Sequence, residues 1–332
     1  MKFCLSAVKQ VQPFMNFQGA GLTMDVPFFH QKDKVVFVMG ATGTGKSRLA
    51  IDLATRFPAE VINSDKIQVY KGLDIVTNKV TQEECRGVPH HLLGVIHPNS
   101  TFSLADFHHF VPPTVDSIHR RDRLPIIAGG SNSYIRSLVN ESPEFHLRYQ
   151  SCFLWIDVSI PVLHTFVSKR VEKMIESGLI DEVRGVFDPN SRDYSRGIRR
   201  AIGVPELDRY FREESLVSRK GRARLLEKAI ATIKENTCML GCRQLQKIHR
   251  LYRQWKPEFH RIDATQVFLK EGEEADEAWE KHVAKPAAII VDQFLYDDEV
   301  SITVPVDASS GGGGVGVAIA TAPASASLAM IR

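Results

Sequence analysis

VVFVMGATGTGKS, residues 35–47, decides the fold: an apolar β-branched run turns directly into Gly-x-x-x-x-Gly-Lys-Ser between Gly40 and Ser47. This is the spacing of a phosphate-binding P-loop. Its small residues let backbone N–H groups close around a diphosphate, and Lys46 brings a point charge to the phosphate oxygens. Ser47 stands where a hydroxyl can hold Mg²⁺ at the start of a helix whose dipole favours anions. The flanks agree with the motif. Val35–Met39 predicts a buried strand, and 48–57 continues as a helix with Leu49, Ala50, Leu53 and Ala54 on one face. We therefore expect Gly40, Ala41, Thr42, Gly43, Thr44, Gly45, Lys46 and Ser47 to form the phosphate cradle.

Outward from this loop, strands are predicted at 60–62, 125–128 and 153–158. Helical patterns cover 103–120 and 132–139 between them, which implies a parallel sheet flanked by helices. From Pro161 the signal turns helical, with segments 162–177 and 179–187 around Gly178 and a long helix over 220–255. The expected organisation is a P-loop α/β core over 34–160 and a mostly helical region over 161–300. Residues 1–33 have no acid before Asp25, a composition resembling an organelle transit peptide, and 301–332 form a Ser, Gly and Ala tail with little to bury.

Composition sets the outer bounds. The chain has 332 residues, 43% hydrophobic and 24% charged, enough for a sizeable core but with no uninterrupted apolar stretch of the roughly 18–20 residues that a membrane span needs. Five cysteines, an odd number without zinc-ligand spacing, suggest a reducing compartment; Cys238 and Cys242 read as small apolar residues on the long helix. Net charge is only +3, but residues 192–256 hold 17 Lys and Arg against 7 Asp and Glu, whereas 257–300 hold 4 against 12. The basic half suits a polyanion, either RNA or small phosphates, and Arg243, Lys247 and Arg250 share one helix face within it.

EVINSDKIQVY (60–70) puts Asp65 just past the second strand, at the edge where open parallel sheets bind ligands. A carboxylate there can accompany magnesium, act as a base, or close the loop as an Asx turn. His90 and His91, in a loop after Pro89, can be read as catalytic or as capping and packing residues, and Ser103 with Asp106 reads as a helix cap.

The ordered blocks GATGTGKS, INSDKIQVYKGLDIVTNKV, GVPHHLLG, FSLADF, IIAGGSNSYI, GLIDEV, GIRRAIGVPEL and CRQLQKI resemble those of isopentenyltransferases, which prenylate the exocyclic amine of adenine. The resemblance spans about 34–295 and is strongest to the plant adenylate isopentenyltransferases of cytokinin biosynthesis. Transfer-RNA dimethylallyltransferases share several blocks; they carry a helical insertion after the GG-x-x-x-Y block, and here Tyr134 reaches the next strand by a short connection.

The resemblance implies that the loop holds the diphosphate of dimethylallyl diphosphate and that ATP, ADP or AMP accepts the prenyl group, with Mg²⁺ as cofactor. It implies Asp65 as base, Lys46 and Thr44 at the leaving group, and Ser47 at the metal. Arg170 and Arg199 with Arg200 occupy basic positions of its motifs, and Lys220 is a candidate for selecting nucleotides by phosphate number. It also points to the plastid, with mitochondrion or cytosol as alternatives, to a protein that need not be more than a monomer, and to no membrane or nucleic-acid partner. The rivals are a transfer-RNA dimethylallyltransferase and a P-loop small-molecule kinase, in which the same loop would hold ATP as phosphoryl donor.

Overall fold

The structure, a computed structural model, describes residues 32–296. The tail at 301–332 and all but the last two residues of the 1–33 leader lie outside the described residues. In chain order the elements begin with β1 (Asp33–Gly40), α1 (Lys46–Arg56), β2 (Ala59–Asn63), β3 (His90–His91), α2 (Leu104–His119) and β4 (Leu124–Ala128). They continue with α3 (Asn132–Glu141), α4 (Pro143–Arg148), β5 (Tyr149–Asp157), α5 (Ile160–Glu176), α6 (Leu179–Arg184) and α7 (Val204–Glu213). The last are α8 (Arg219–Gln254), β6 (Phe259–Asp263), α9 (Gly272–Trp279) and α10 (Lys285–Tyr296), with a π turn at Glu280–Ala284 between the final two helices.

Six strands form one all-parallel sheet in the order β3-β2-β4-β1-β5-β6. Its centre is covered on both faces, so β1 reads as an unbroken apolar run: Val35, Val36, Phe37, Val38 and Met39 are all fully buried. Register puts Gly40 opposite Ile156 and Asn63 opposite Ala128, so the carboxyl ends of β1, β2, β4 and β5 open onto one rim. Adjacent strands β1 and β4 send their connections in opposite directions, one to β2 and one to β5. In an open α/β sheet the crevice at such a reversal is where a ligand fits.

Two features depart from the expected organisation. The region after Pro161 returns to the sheet as β6, which pairs with β5 from Phe153↔Phe259 to Asp157↔Asp263. The sheet therefore takes strands from both sides of residue 160, and no boundary falls there. The His90–His91 pair is the edge strand β3 rather than loop, paired to Val61 and Ile62. His91 Nε2 lies 2.6 Å from Glu60 Oε2, and the same carboxylate accepts from the Arg121 guanidinium. That hydrogen bonding with Arg121 holds the Glu60 carboxyl below its ordinary value.

α2 begins with a complete capping box: Ser103 Oγ accepts from Asp106 N, and the Asp106 carboxylate accepts from Ser103 N. The 36-residue α8, about 54 Å long at 1.5 Å per residue, packs against α5 and α7 and passes over the rim. Cys238 and Cys242 are half-buried on it, with His164 Nε2 3.3 Å from Cys242 Sγ.

Candidate active site

A single cleft of about 1650 Å³ runs along this rim. Thr42, Gly43, Gly45, Lys46 and Ser47 form one wall. Asp65 and Lys66 come from the β2 exit, Gly129 and Gly130 from the β4 exit, Arg170 from α5, Arg200 from the turn before α7, and Thr237 and Gln244 from α8. Each main-chain exit reaches the cleft because its strand ends there.

Lys46, the first residue of α1, donates to the Ala41 carbonyl at 2.7 Å, folding its ammonium back over the loop. Burial pushes its pKa down to about 8, partly offset by the Asp65 carboxylate and reinforced by Arg170. Arg170 Nη2 donates to Thr42 Oγ1 at 2.9 Å, while its buried Nε has no partner. Burial lowers its pKa to about 10. Neither cation has a carboxylate within ion-pair distance among the described residues. Two desolvated positive groups without a direct ion pair, beside a helix N-terminus, make a strong seat for an anion.

Asp65 is held firmly. Its N–H donates to Asn63 Oδ1, its carbonyl accepts from Asn63 Nδ2, and its Oδ1 accepts from Ile67 N at 3.0 Å. The Asx turn and a free carboxylate oxygen therefore coexist, because one oxygen closes the loop and Oδ2 is left facing Gly130. A methyl group built on Gly130 would stand 3.2 Å from that oxygen, and one on Gly129 only 2.4 Å from the Ser64 carbonyl carbon. Only glycine lets the β4 exit approach Asp65 so closely. Lys66, beside Asp65, has its pKa lowered by burial and by the neighbouring Arg200 and Lys247 charges, which brings part of the basic α8 face to the rim.

Five expected site residues stand off the cleft lining. Thr44 is fully buried and its hydroxyl donates to the Ala41 carbonyl at 3.0 Å; it closes the loop from behind instead of facing a leaving group. Arg199 turns away from the cleft toward Asp188, 4.0 Å distant, whereas Arg200 lines the cleft and donates to the Gly197 carbonyl. Both stand in the 3-10 turn Gly197–Arg200, where successive side chains leave about 120° apart, so the two adjacent arginines face different surroundings. Lys220 is exposed in the first turn of α8, 13 residues before Ile233, where that helix meets the cleft: about 20 Å along the axis. Gly40 and Ala41 lie beneath the cradle rather than on its lining.

Gln244 lies in the CRQLQKI block, which by itself assigns it no role at the site. Its Oε1 accepts from Thr42 N at 2.7 Å and its Nε2 donates to the Gly130 carbonyl at 3.0 Å, so one buried amide ties the P-loop to the β4 exit. A glutamine between exposed basic residues at helical spacing was the available signal.

Ser47 is on the lining at the start of α1. No group of three or more His, Cys, Asp or Glu side chains suited to a metal occurs among the described residues. The Ser47 hydroxyl at the start of α1 is the donor type that suits Mg²⁺ carried largely by substrate phosphates at a P-loop.

A family model described as IPP transferase matches residues 68–148 and 140–250. Adenylate isopentenyltransferase 5, chloroplastic, of Arabidopsis thaliana is 66% identical over 90% of this chain and 92% of its own length. Adenylate isopentenyltransferase 7, mitochondrial, of the same plant is 57% identical over 89% and 90%. Adenylate isopentenyltransferase of Humulus lupulus is 44% identical over 78% and 89%. Among solved structures, a eukaryotic dimethylallyltransferase acting on tRNA superposes with a TM-score of 0.69 at 22% identity, over 80% of both chains. The tRNA isopentenylpyrophosphate transferase of Bacillus halodurans gives 0.61 at 26%, over 81% of this chain and all of the other.

Proposed function

Since the chain belongs to the IPP transferase family, and within it to the adenylate isopentenyltransferases, we propose that it transfers the dimethylallyl group of dimethylallyl diphosphate to the exocyclic N6 amine of an adenine nucleotide, ATP, ADP or AMP. This is the entry reaction of cytokinin biosynthesis. Membership implies a prenyl diphosphate donor and an acceptor. Adenine nucleotide as that acceptor rests on the names of relatives at 44–66% identity, the tRNA-acting structures being far more distant. Plastid residence belongs to the same proposal, supported by chloroplastic relatives at 66% and 55% identity and set against a mitochondrial one at 57%.

The observation that carries the chemistry is the meeting of two buried, carboxylate-free cations with a free carboxylate oxygen across one cleft. With the donor diphosphate on the loop amides of 43–47, Lys46 and Arg170 meet the negative charge that grows as the allylic carbon–oxygen bond breaks. The departing electron pair stays on the diphosphate, stabilised by groups already in position. From the other side the adenine amine forms the new carbon–nitrogen bond. Its lone pair is delocalised into the ring, so it becomes nucleophilic as its proton passes to Asp65 Oδ2. The Asx hydrogen bond through Oδ1 fixes the carboxylate for that transfer, and Gly129 and Gly130 leave the approach open. Mg²⁺, held at Ser47 and the phosphates, would add Lewis-acid neutralisation of the leaving group.

Purified protein incubated with Mg²⁺, dimethylallyl diphosphate and, separately, ATP, ADP, AMP or unmodified transfer RNA tests this directly by product mass. The expected result is an adenine nucleotide carrying one five-carbon unit, with inorganic diphosphate released. Phosphoryl transfer without prenylation, or prenylation of transfer RNA alone, refutes it.

A further inference from the structure

The acidic segment after β6 does more than fill the surface. Asp276 of α9 accepts from Arg48 Nη2 at 2.8 Å, and Glu280 accepts from Arg56 Nη2, so α9 and the π turn clasp both ends of α1. Between these ion pairs sits Trp279, only 3% exposed. Its Nε1 donates to Asp52 Oδ2 at 2.7 Å, and the Arg48 guanidinium lies over the ring at 4.6 Å from the centroid. The far edge of the same indole presses on the P-loop. A methyl group built on Gly45 would stand 2.6 Å from Cη2 and 2.7 Å from Cζ3 of Trp279. Gly45 has φ +88° and is the residue from which α1 departs. The ring also lines the cleft.

We infer that Trp279 is a positioning residue for the diphosphate seat: its indole, locked by Asp52 and Arg48, backs Gly45 and fixes the direction of the loop amides at 45–47. Gly45 lacks a side chain and adopts a left-handed conformation, so its own backbone supplies little to hold it. A flat ring held by a hydrogen bond on one edge and a guanidinium on one face has almost no freedom left to give. Pressed onto Gly45, it denies the loop an outward move that would splay the amides. A misplacement of about 1 Å in such a cradle is costly to catalysis. A π turn begins at the next residue, Glu280, and such turns recur at functional sites because they rotate a side chain out of regular register. Trp279 lies beyond both segments matched by the family model. The role therefore belongs to the C-terminal clasp, not to the motif core.

The inference rests on the P-loop being the diphosphate seat, so the probe is inorganic diphosphate with Mg²⁺, followed by calorimetry and by tryptophan emission. Only Trp155, Trp255 and Trp279 emit, and of the three Trp279 alone lines the cleft. Saturating diphosphate should shift the emission of the wild type and leave W279F silent. W279F, which keeps a ring on Gly45, should bind within about threefold of the wild type. W279A should bind roughly tenfold or more weakly, with donor KM rising in step and acceptor KM unchanged. A ring that serves only packing would lower the melting temperature of W279A and leave its diphosphate affinity intact, which overturns the inference. So does a wild-type emission that ignores diphosphate while calorimetry records binding, and that comparison decides the matter even where W279A does not fold. If calorimetry finds no diphosphate binding to the wild type, the functional reading itself fails.

Discussion

Replacing Lys46 with methionine should abolish diphosphate binding and at the same time make the free protein more stable. Burial lowers the Lys46 pKa from 10.5 to about 8. At about 1.36 kcal/mol per pH unit of that difference, holding this ammonium charged in the empty fold costs about 3 kcal/mol at neutral pH. The sign comes from proton counting. Between pH 8 and 10.5 the unfolded chain binds more protons than the folded one, so stability of the free enzyme rises with pH through that window. Below pH 8 the full cost is present. The Lys46→Met substitution would remove it at similar volume, losing in exchange the hydrogen bond to the Ala41 carbonyl, worth about 1 kcal/mol; that carbonyl still accepts from Thr44 Oγ1. The net expectation is a gain of about 2 kcal/mol, or a melting temperature higher by roughly 3 °C for a chain of this length. Thermal unfolding by circular dichroism at pH 7 reads this directly, with and without Mg²⁺-diphosphate. Diphosphate at 100 times its Kd should stabilise the wild type by about 2.7 kcal/mol and leave Lys46→Met unmoved. Wild-type affinity for diphosphate should weaken above pH 8 as the ammonium loses its proton. A Lys46→Met protein that melts below the wild type at pH 7 would overturn this account, because Lys46 would then be a net structural contributor.

Asp65→Asn keeps the Asx turn and removes the proton acceptor, so turnover should fall by roughly two to four orders of magnitude while diphosphate affinity by calorimetry barely moves. Near-normal turnover would leave Asp65 a loop-closing residue only. Arg170→Ala should raise donor KM about 10- to 100-fold, the worth of hydrogen bonds to a charged group. Arg199→Ala should leave it unchanged, and equal effects of the two would contradict their opposite orientations. Lys220→Ala should leave KM for ATP, ADP and AMP alike, given its distance from the cleft; a selective rise for ATP would mean that the nucleotide tail reaches the start of α8. Glu60→Gln should lower the melting temperature at pH 7. Because the Glu60 carboxyl is held below its ordinary value, its contribution is present above about pH 4.5 and fades on acidification, so the wild-type and variant melting curves should converge in acid.

The strand–P-loop–helix unit, the parallel sheet and the long α8 are legible in the sequence alone, since each rests on local periodicity or on a motif whose geometry is set by glycines and a helix start. The P-loop spacing and the exit of the second strand also mark Lys46 and Asp65, and the structure brings both to one cleft with Arg170, which the sequence offered only through a family resemblance. Tertiary structure alone decided which neighbours of those groups face the cleft. Thr44 and Ser47 are equally plausible hydroxyls in a string of letters, but the turn of the loop buries one and exposes the other. Arg199 and Arg200 differ only in which side of a turn they occupy. β3 is two residues long and β6, Phe259–Asp263, carries His260, Arg261 and Asp263 among its five residues, so neither shows an apolar run; both exist because a neighbouring strand edge is there to pair with. Gln244 and Trp279 take their meaning from contacts across about 200 and 230 residues of chain, with Thr42 and Gly45. Local pattern records which way a side chain leaves its own element; what it then meets is fixed by how separate elements pack, and no short-range spacing encodes that.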